Sequence, residues 1–168
     1  SMPIGFKNGT GGSVDIALDG IMAARSEHVF LGIDDDGSAA IVHTAGNPAG
    51  HLVLRGGKNG TNYDALSIAS AQKMLNGRGL PANLIVDCSH ANSAKNHKRQ
   101  SVVFRDVIGQ RANNNGIVGV MLESHLHQGN QDLGDDPSTL DYGVSITDAC
   151  VNWAETESLL REAHQALV

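Results

Sequence analysis

The 168-residue sequence has few aromatic residues, few cysteines and no excess of positive charge, and each shortage excludes a class of protein. Three Phe, two Tyr and one Trp leave little material for a surface that stacks nucleic-acid bases. Twelve basic residues against 18 acidic ones give a net charge of -6, which disfavours binding to nucleic acid or to an anionic membrane. Two cysteines, Cys88 and Cys150, do not make a disulfide framework, so we expect the reducing cytoplasm.

Long apolar runs are also missing, so the sequence predicts neither a membrane-spanning helix nor a signal peptide. The length suits one hydrophobic core, and we expect a single domain over 1–168. Ser1 resembles a cloning remnant before Met2, and an apolar strand already begins at Pro3. Because domains seldom begin this abruptly, we expect this domain to be partial, with a missing part upstream.

Short apolar segments alternate with longer segments of helical periodicity, which is typical of α/β proteins. The segments are apolar on both faces, as parallel strands covered by helices are. Strands are predicted at 4–7, 51–55, 84–88 and 117–123, and helices at 14–25, 63–76, 98–111 and 147–167.

A β-hairpin over 28–44 interrupts this alternation. Two apolar runs, 28–33 and 39–43, flank the sequence Asp34-Asp35-Asp36-Gly37, and Asp-Gly between apolar runs is a strong hairpin signal. The hairpin is therefore interpreted as an insertion.

Each of the four predicted parallel strands ends at or near an ionisable residue: Lys7, Arg55, His90 and Glu123. These residues follow one another at intervals of 48, 35 and 33 residues, and the longest interval contains the hairpin. A βα unit needs about 30 residues, and a complete (β/α)₈ barrel has eight units in roughly 250 residues. The sequence therefore predicts half of such a barrel.

Barrel enzymes place their functional groups at the carboxyl ends of the strands. Lys7 and Arg55 would suit an anion that bears carboxylate or phosphate groups. His90, Glu123 and Asp148 would suit a divalent metal such as Mn²⁺, Fe²⁺, Co²⁺ or Zn²⁺.

Each metal candidate has a simpler interpretation, because no local motif joins the three. His90 could hydrogen bond to Ser89 or Asn92 within its own loop. Glu123 could pair with a loop lysine, and Asp148 could cap the last helix.

Five ordered motifs resemble the type I 3-deoxy-D-arabino-heptulosonate 7-phosphate (DAHP) synthases, and they span the chain from Pro3 onward. The resemblance covers the last four βα units of the family's barrel. The motifs are Gly5-Phe6-Lys7-Asn8-Gly9-Thr10, Leu54-Arg55-Gly56-Gly57-Lys58, Asp87-Cys88-Ser89-His90-Ala91-Asn92-Ser93, Gly119-Val120-Met121-Leu122-Glu123-Ser124 and Tyr142-Gly143-Val144-Ser145-Ile146-Thr147-Asp148-Ala149-Cys150.

The resemblance implies condensation of phosphoenolpyruvate with erythrose 4-phosphate, with release of phosphate, as the first step of the shikimate pathway. Lys7 and Arg55 would hold phosphoenolpyruvate, and Asp148 would also contribute to substrate binding. His90, Glu123 and Asp148 would be metal ligands, and Lys7, Arg55 and His90 are the expected catalytic residues. The metal would act on the aldehyde oxygen of erythrose 4-phosphate.

The chain departs from the family because it has no first barrel strand, which carries a fourth, cysteine ligand. The arginines and the catalytic lysine of the first four units are also missing, so we expect no activity from this fragment alone. Its exposed sheet edges predict self-association or pairing with an N-terminal half. A non-catalytic module that binds phosphate or phosphoenolpyruvate is the alternative function.

The hairpin resembles the family's binding element for an aromatic amino acid inhibitor. Phe30, Gly32 and Val42 are the candidate effector residues. Gly32 and the run from Gly46 to His51 most resemble the tyrosine-regulated branch of the family, which implies tyrosine as the effector.

Overall fold

A computed structural model describes residues 2–168, which form six strands and four α-helices with short 3₁₀ turns between them. The strands are β1 (Ile4–Lys7), β2 (His28–Ile33), β3 (Ala39–Thr44), β4 (Gly50–Leu54), β5 (Leu84–Asp87) and β6 (Ile117–Met121). The α-helices are α1 (Asp15–Arg25), α2 (Ala65–Gly77), α3 (Gln100–Arg111) and α4 (Trp153–Leu167).

The main sheet has four parallel strands in the order β1-β4-β5-β6. Strands adjacent in the sheet also follow one another in the chain, apart from β2 and β3. A helix follows each of the four parallel strands before the next one begins. This arrangement confirms the α/β class and the parallel sheet that the sequence predicts.

The hydrophobic core lies between one face of this sheet and the helices. Alternate strand residues such as Leu52, Leu54, Leu84 and Val86 point into it, because side chains alternate between the two faces of a strand. The helices contribute large, fully buried side chains at helical spacing: Leu18, Ile21, Ile68, Leu75, Phe104 and Leu159.

The opposite face carries the residues that alternate with the core, among them Lys7 and Asp87 at the ends of β1 and β5. Both outer strands of the sheet are partly open. Ile4 on β1 has 41% of its surface exposed, and Val118 on β6 has 52%.

The turns after β1 and β4 contact each other, and this contact requires glycine. A Cβ atom on Gly57 would lie 2.4 Å from the Cα of Gly12, and one on Gly56 would lie 2.8 Å from the backbone nitrogen of Asn92. Gly56 also has φ of +69°, which favours glycine. The glycine-rich sequences therefore allow neighbouring βα turns to pack backbone against backbone at the carboxyl end of the sheet.

The last helix begins later than predicted. Residues 147–151 form a loop in which Cys150 and Val151 make isolated bridges to Gly129 and Ser124. α4 begins at Trp153, and the side chain of Asn152 caps it by accepting a hydrogen bond from the backbone of Glu155. The prediction of a helix from residue 147 is wrong, because these bridges hold the backbone outside a helix. Asp148 consequently does not cap α4.

β2 and β3 form a separate antiparallel sheet in which Phe30 lies opposite Val42 and Gly32 opposite Ala40. Several of its apolar side chains are exposed, including Leu31 at 78% and Ile33 at 75%.

Among residues 2–168, no helix is long and apolar enough to cross a membrane.

Candidate metal centre and anion-binding cleft

Three strand ends and the loop before α4 bring four of the five predicted catalytic and metal-binding residues close to one buried carboxylate. Lys7 ends β1, and Asp87 ends β5. His90 begins a 3₁₀ turn three residues after Asp87, and Glu123 follows β6 by two residues. Asp148 reaches the same place from the loop before α4.

Asp87 is the buried carboxylate that links these side chains. Its Oδ2 accepts a 2.7 Å hydrogen bond from the Lys7 ammonium, and its Oδ1 accepts bonds from the backbone and hydroxyl of Ser89 at 2.9 and 2.6 Å. Burial opposes the charged form, but the bonds from Lys7 and Ser89 outweigh it and lower the pKa of Asp87. Asp87 is therefore a buried carboxylate held in its charged form.

His90 is oriented by this carboxylate. Its Nδ1 lies 2.9 Å from Asp87 Oδ2 and 2.7 Å from the Ser89 hydroxyl. A carboxylate at Nδ1 favours the tautomer that carries the proton there, which leaves a lone pair on Nε2. The Ser89 contact that the sequence suggested as an alternative is present, and it supports this orientation.

His90 Nε2 faces the two other predicted metal ligands. It lies 3.6 Å from Glu123 Oε1 and 3.9 Å from Asp148 Oδ2, and the ligand atoms of the three residues lie within 4.8 Å of one another. Among residues 2–168, Glu123 makes no salt bridge with a lysine. The structure therefore brings together the three residues that the sequence pattern selected.

The carboxylates of Glu123 and Asp148 repel each other electrostatically. Burial raises the pKa of Glu123, and the charges of Asp148 and Asp87 raise it further, although His90 acts in the opposite direction. A divalent cation between the ligands would offset both effects. Its donors would be one imidazole nitrogen and two carboxylate oxygens, a set that fits Mn²⁺, Fe²⁺, Co²⁺ or Zn²⁺.

The backbone of Glu123 is fixed from two sides. The buried Gln100 side chain accepts a 2.9 Å hydrogen bond from the Glu123 backbone nitrogen, and the Val151 nitrogen donates to its carbonyl at 2.9 Å. Asp148, by contrast, has 58% of its side chain exposed. The ligand set is therefore rigid at His90 and Glu123 and open to solvent at Asp148.

A cleft of about 290 Å³ lies beside the metal ligands and shares His90 with them. Its lining includes three cationic side chains, from Arg55, Lys58 and Lys95. The backbone nitrogen of Arg55 donates a 2.8 Å bond to the side chain of the buried Asn8, which joins the first and second βα turns. This concentration of positive charge suits a phosphate or a carboxylate.

Sequence reasoning did not select Asp87, Gln100, Lys58 or Lys95 as site residues. Asp87 had a detectable signal, because a carboxylate directly after three apolar strand residues needs a buried partner. Lys58 follows the Gly-Gly turn and could have been included with Arg55. Gln100 and Lys95 carried no signal that separates them from surface residues.

The chain matches the model of the DAHP synthetase I family over residues 1–161. It belongs to this family.

Relatives and one solved structure agree with this assignment. The chain is 47% identical over 168 residues to the Tyr-sensitive phospho-2-dehydro-3-deoxyheptonate aldolase of Escherichia coli (strain K12), covering 99% of this chain and 47% of that protein. It is 48% identical to the Phe-sensitive enzyme of the same organism, with the same coverage. The aldolase structure from Francisella tularensis SCHU S4 superposes with a TM-score of 0.91 at 41% identity, covering 99% of this chain and 48% of that one.

The chain thus spans about half the length of the DAHP synthetase I family members it matches. His90, Glu123, Asp148 and the cationic cleft all lie within the matched region.

Substitution Asp87→Asn tests whether the buried carboxylate supports the metal ligands. Loss of its charge releases Lys7 and weakens the hold on His90 Nδ1, so we expect the dissociation constant for Mn²⁺ to rise about 10- to 100-fold. Isothermal titration calorimetry measures this constant, and circular dichroism checks that the variant is folded. Asp132→Asn, at an exposed position, is the matched control. Equal Mn²⁺ affinity in both variants would contradict the supporting role of Asp87.

Proposed function

We propose that this chain is the C-terminal half of a (β/α)₈-barrel DAHP synthase, which condenses phosphoenolpyruvate with erythrose 4-phosphate. One observation carries the proposal: His90, backed by Asp87, belongs both to a three-ligand metal centre and to a cationic cleft. An enzyme that joins a phosphorylated enol to an aldehyde needs an anion site and an electrophilic centre side by side.

The cleft would bind phosphoenolpyruvate, with Arg55 as the principal cation of its lining and Lys7, which contacts Asp87 and lies outside that lining, as a second cation. Arg55 can hold a phosphate or carboxylate in two parallel hydrogen bonds. The Lys7 ammonium uses one of its three N–H groups on Asp87 and keeps the others for a ligand anion. Lys58 and Lys95 add positive charge around the same space.

The metal would be held by His90, Glu123 and Asp148, with Asp148 also near the substrate. When bound, such an ion supplies Lewis acidity at the aldehyde oxygen of erythrose 4-phosphate. In the overall reaction a carbon–carbon bond forms between C3 of phosphoenolpyruvate and the aldehyde carbon. Water adds at C2, and phosphate leaves. Lys7 and Arg55 would keep the enol ester oriented while this charge is redistributed.

The four parallel strands correspond to half of an eight-stranded barrel, and the β2–β3 hairpin to an insertion in it. Two features support this proposal: no described residue forms a strand beside either edge of the sheet, and the matched relatives are about twice as long as the chain. The other half would close the barrel and supply the rest of the substrate site. The chain alone is then expected to bind ligands without turnover.

Calorimetry with phosphoenolpyruvate, with and without Mn²⁺, tests this function. We expect binding that strengthens when Mn²⁺ is present, because the metal centre and the cleft share His90. Arg55→Ala should weaken phosphoenolpyruvate binding by about 1.5–3 kcal/mol, the contribution of a hydrogen bond to a charged group. An assay of phosphate release should show no turnover by the chain alone.

The same titration separates the two candidate functions. Binding of equal strength without metal would favour a non-catalytic anion-binding module, for which the cleft alone provides the cations. Robust phosphate release by the chain alone would contradict the view that it holds only part of the active site.

The β2–β3 hairpin is proposed to bind an aromatic amino acid effector, with tyrosine favoured. Phe30, Gly32 and Val42 lie together on it, and a Cβ atom on Gly32 would lie 2.8 Å from Val42 Cγ2. Val42 and Phe30 therefore pack closely over Gly32, and the three residues form one apolar surface on the hairpin. Tyr-sensitive and Phe-sensitive relatives are about equally similar to the chain, so the preference rests on the hairpin and the residues near it.

Substitution Gly32→Ala tests the hairpin site. The added methyl group should displace the Val42 side chain, change this apolar surface and reduce the heat of tyrosine binding, measured by calorimetry at millimolar tyrosine. Gly77→Ala is the control, because a Cβ atom there meets nothing within 4 Å. If phenylalanine binds more strongly than tyrosine to the unsubstituted chain, the preference is wrong. If Gly32→Ala binds both as before, the site lies elsewhere.

The isolated chain is proposed to associate with a second copy of itself. Within the part of the chain that the structure describes, two parallel edges are unpaired, and apolar side chains are exposed on them at Ile4 and Val118. Unprotected parallel edges of this kind promote pairing between chains. A second copy would offer four further strands, the number that an eight-stranded barrel needs.

Sedimentation velocity at micromolar concentration tests this association. The unsubstituted chain should form dimers or larger species, and the double variant Ile4→Lys with Val118→Lys should shift toward monomer because charge on an edge opposes pairing. Leu66→Lys is the control, since Leu66 is 84% exposed on α2 and lies outside the sheet. A compact monomer for the unsubstituted chain would count against the proposal.

A further inference from the structure

His97 has a buried ring nitrogen that no other described residue satisfies. It begins the 3₁₀ turn His97–Arg99, which Asn96 caps by accepting a hydrogen bond from the backbone of Lys98. Within residues 2–168, the Nε2 of His97 is the one side-chain nitrogen or oxygen atom that is buried without a hydrogen-bond partner. Leaving such an atom unsatisfied costs about 1–3 kcal/mol, so a partner outside the protein chain is expected.

The cavity beside His97 shows where that partner would lie. It has a volume of about 10 Å³, and His97 lines it together with His90, Glu123 and Asp148. A cavity that holds one water molecule needs a volume of roughly 10–15 Å³ and two to four hydrogen-bond partners for the water. The imidazole and the two carboxylates provide those partners.

We infer that His97 is a positioning residue of the metal centre. Its Nε2 hydrogen bonds to a water molecule at the edge of this cavity nearest His97, which leaves the space between the three ligand atoms for the cation. That water bridges to the second carboxylate oxygens of Glu123 and Asp148, since each carboxylate has two. The inference rests on the proposed metal centre and adds a residue to its support.

Direct ligation by His97 is not the role we assign. The three ligand atoms of His90, Glu123 and Asp148 form a group within 4.8 Å of one another, and His97 does not belong to that group. A bridging water gives the buried Nε2 of His97 a hydrogen-bond partner, and it accounts for the distance between His97 and the three ligand atoms. It would also restrain Asp148, which has the most exposed side chain of the three ligands.

Groups that orient metal ligands from outside the coordination sphere influence affinity strongly. Loss of one such partner typically weakens metal binding about 10- to 100-fold. Removal of the His97 imidazole should act in this way, because the carboxylates would lose their bridge.

The test is Mn²⁺ calorimetry on the full chain and on three variants. His97→Leu removes the ring nitrogens, His97→Gln keeps a polar group at similar reach, and His164→Leu is the control at an exposed histidine on α4. We expect His97→Leu to raise the dissociation constant about 10- to 100-fold, His97→Gln to restore most of the affinity, and His164→Leu to leave it unchanged.

Urea unfolding without metal separates positioning from a structural role. Because His97 Nε2 has no hydrogen-bond partner among the described protein residues, His97→Leu breaks no bond between protein groups, and its free energy of unfolding should equal or exceed that of the unsubstituted chain. A lower unfolding free energy, with affinity that His97→Gln does not restore, would show a structural role and overturn the inference.

Two further results would also overturn it, and they differ in scope. If the unsubstituted chain binds Mn²⁺ and His97→Leu binds it equally well, His97 has no part in the site and the metal centre stands. If the unsubstituted chain does not bind Mn²⁺, the metal centre fails and the role of His97 fails with it.

Discussion

The ion pair between Lys7 and the buried Asp87 is the interaction on which the site depends. It joins the ends of β1 and β5, which β4 separates in the sheet. The same carboxylate faces His90 Nδ1 and so directs Nε2 toward Glu123 and Asp148. A buried carboxylate needs such partners to remain charged. One carboxylate therefore sets the positions of Lys7 and of the candidate metal ligand His90 together.

Much of this arrangement could be predicted from the sequence, because parallel strands impose a strong regularity. Apolar runs followed by helices predict the sheet, and parallel order brings the carboxyl ends of the strands to one rim. Lys7, His90 and Glu123 could be selected because each stands at or near the end of an apolar run. Their convergence required no information about loops beyond the length of each βα unit.

Other features depend on tertiary contacts that leave no periodic signal. The start of α4 is set by bridges from Cys150 and Val151 to residues more than 20 positions away. Lys95 reaches the cleft because the backbone is left-handed at two successive residues, Ala94 and Lys95, with φ of +53° and +57°. Neither residue type favours that conformation, so a sequence pattern does not reveal it. Gln100 is a helix residue whose role appears only when its contact with Glu123 is seen.

The strand order β1-β4-β5-β6 also has a consequence for how such a sheet assembles. Because each new strand pairs with the parallel strand that precedes it in the chain, contacts form largely between consecutive βα units. The sheet can then form by the addition of one βα unit at a time, as in repeat proteins. A chain that is divided between two units keeps the strand pairings within each part. The three candidate metal ligands all lie between residues 90 and 148, within units that follow one another. A division of such a sheet anywhere before β5 therefore leaves these three residues within a single stretch of chain.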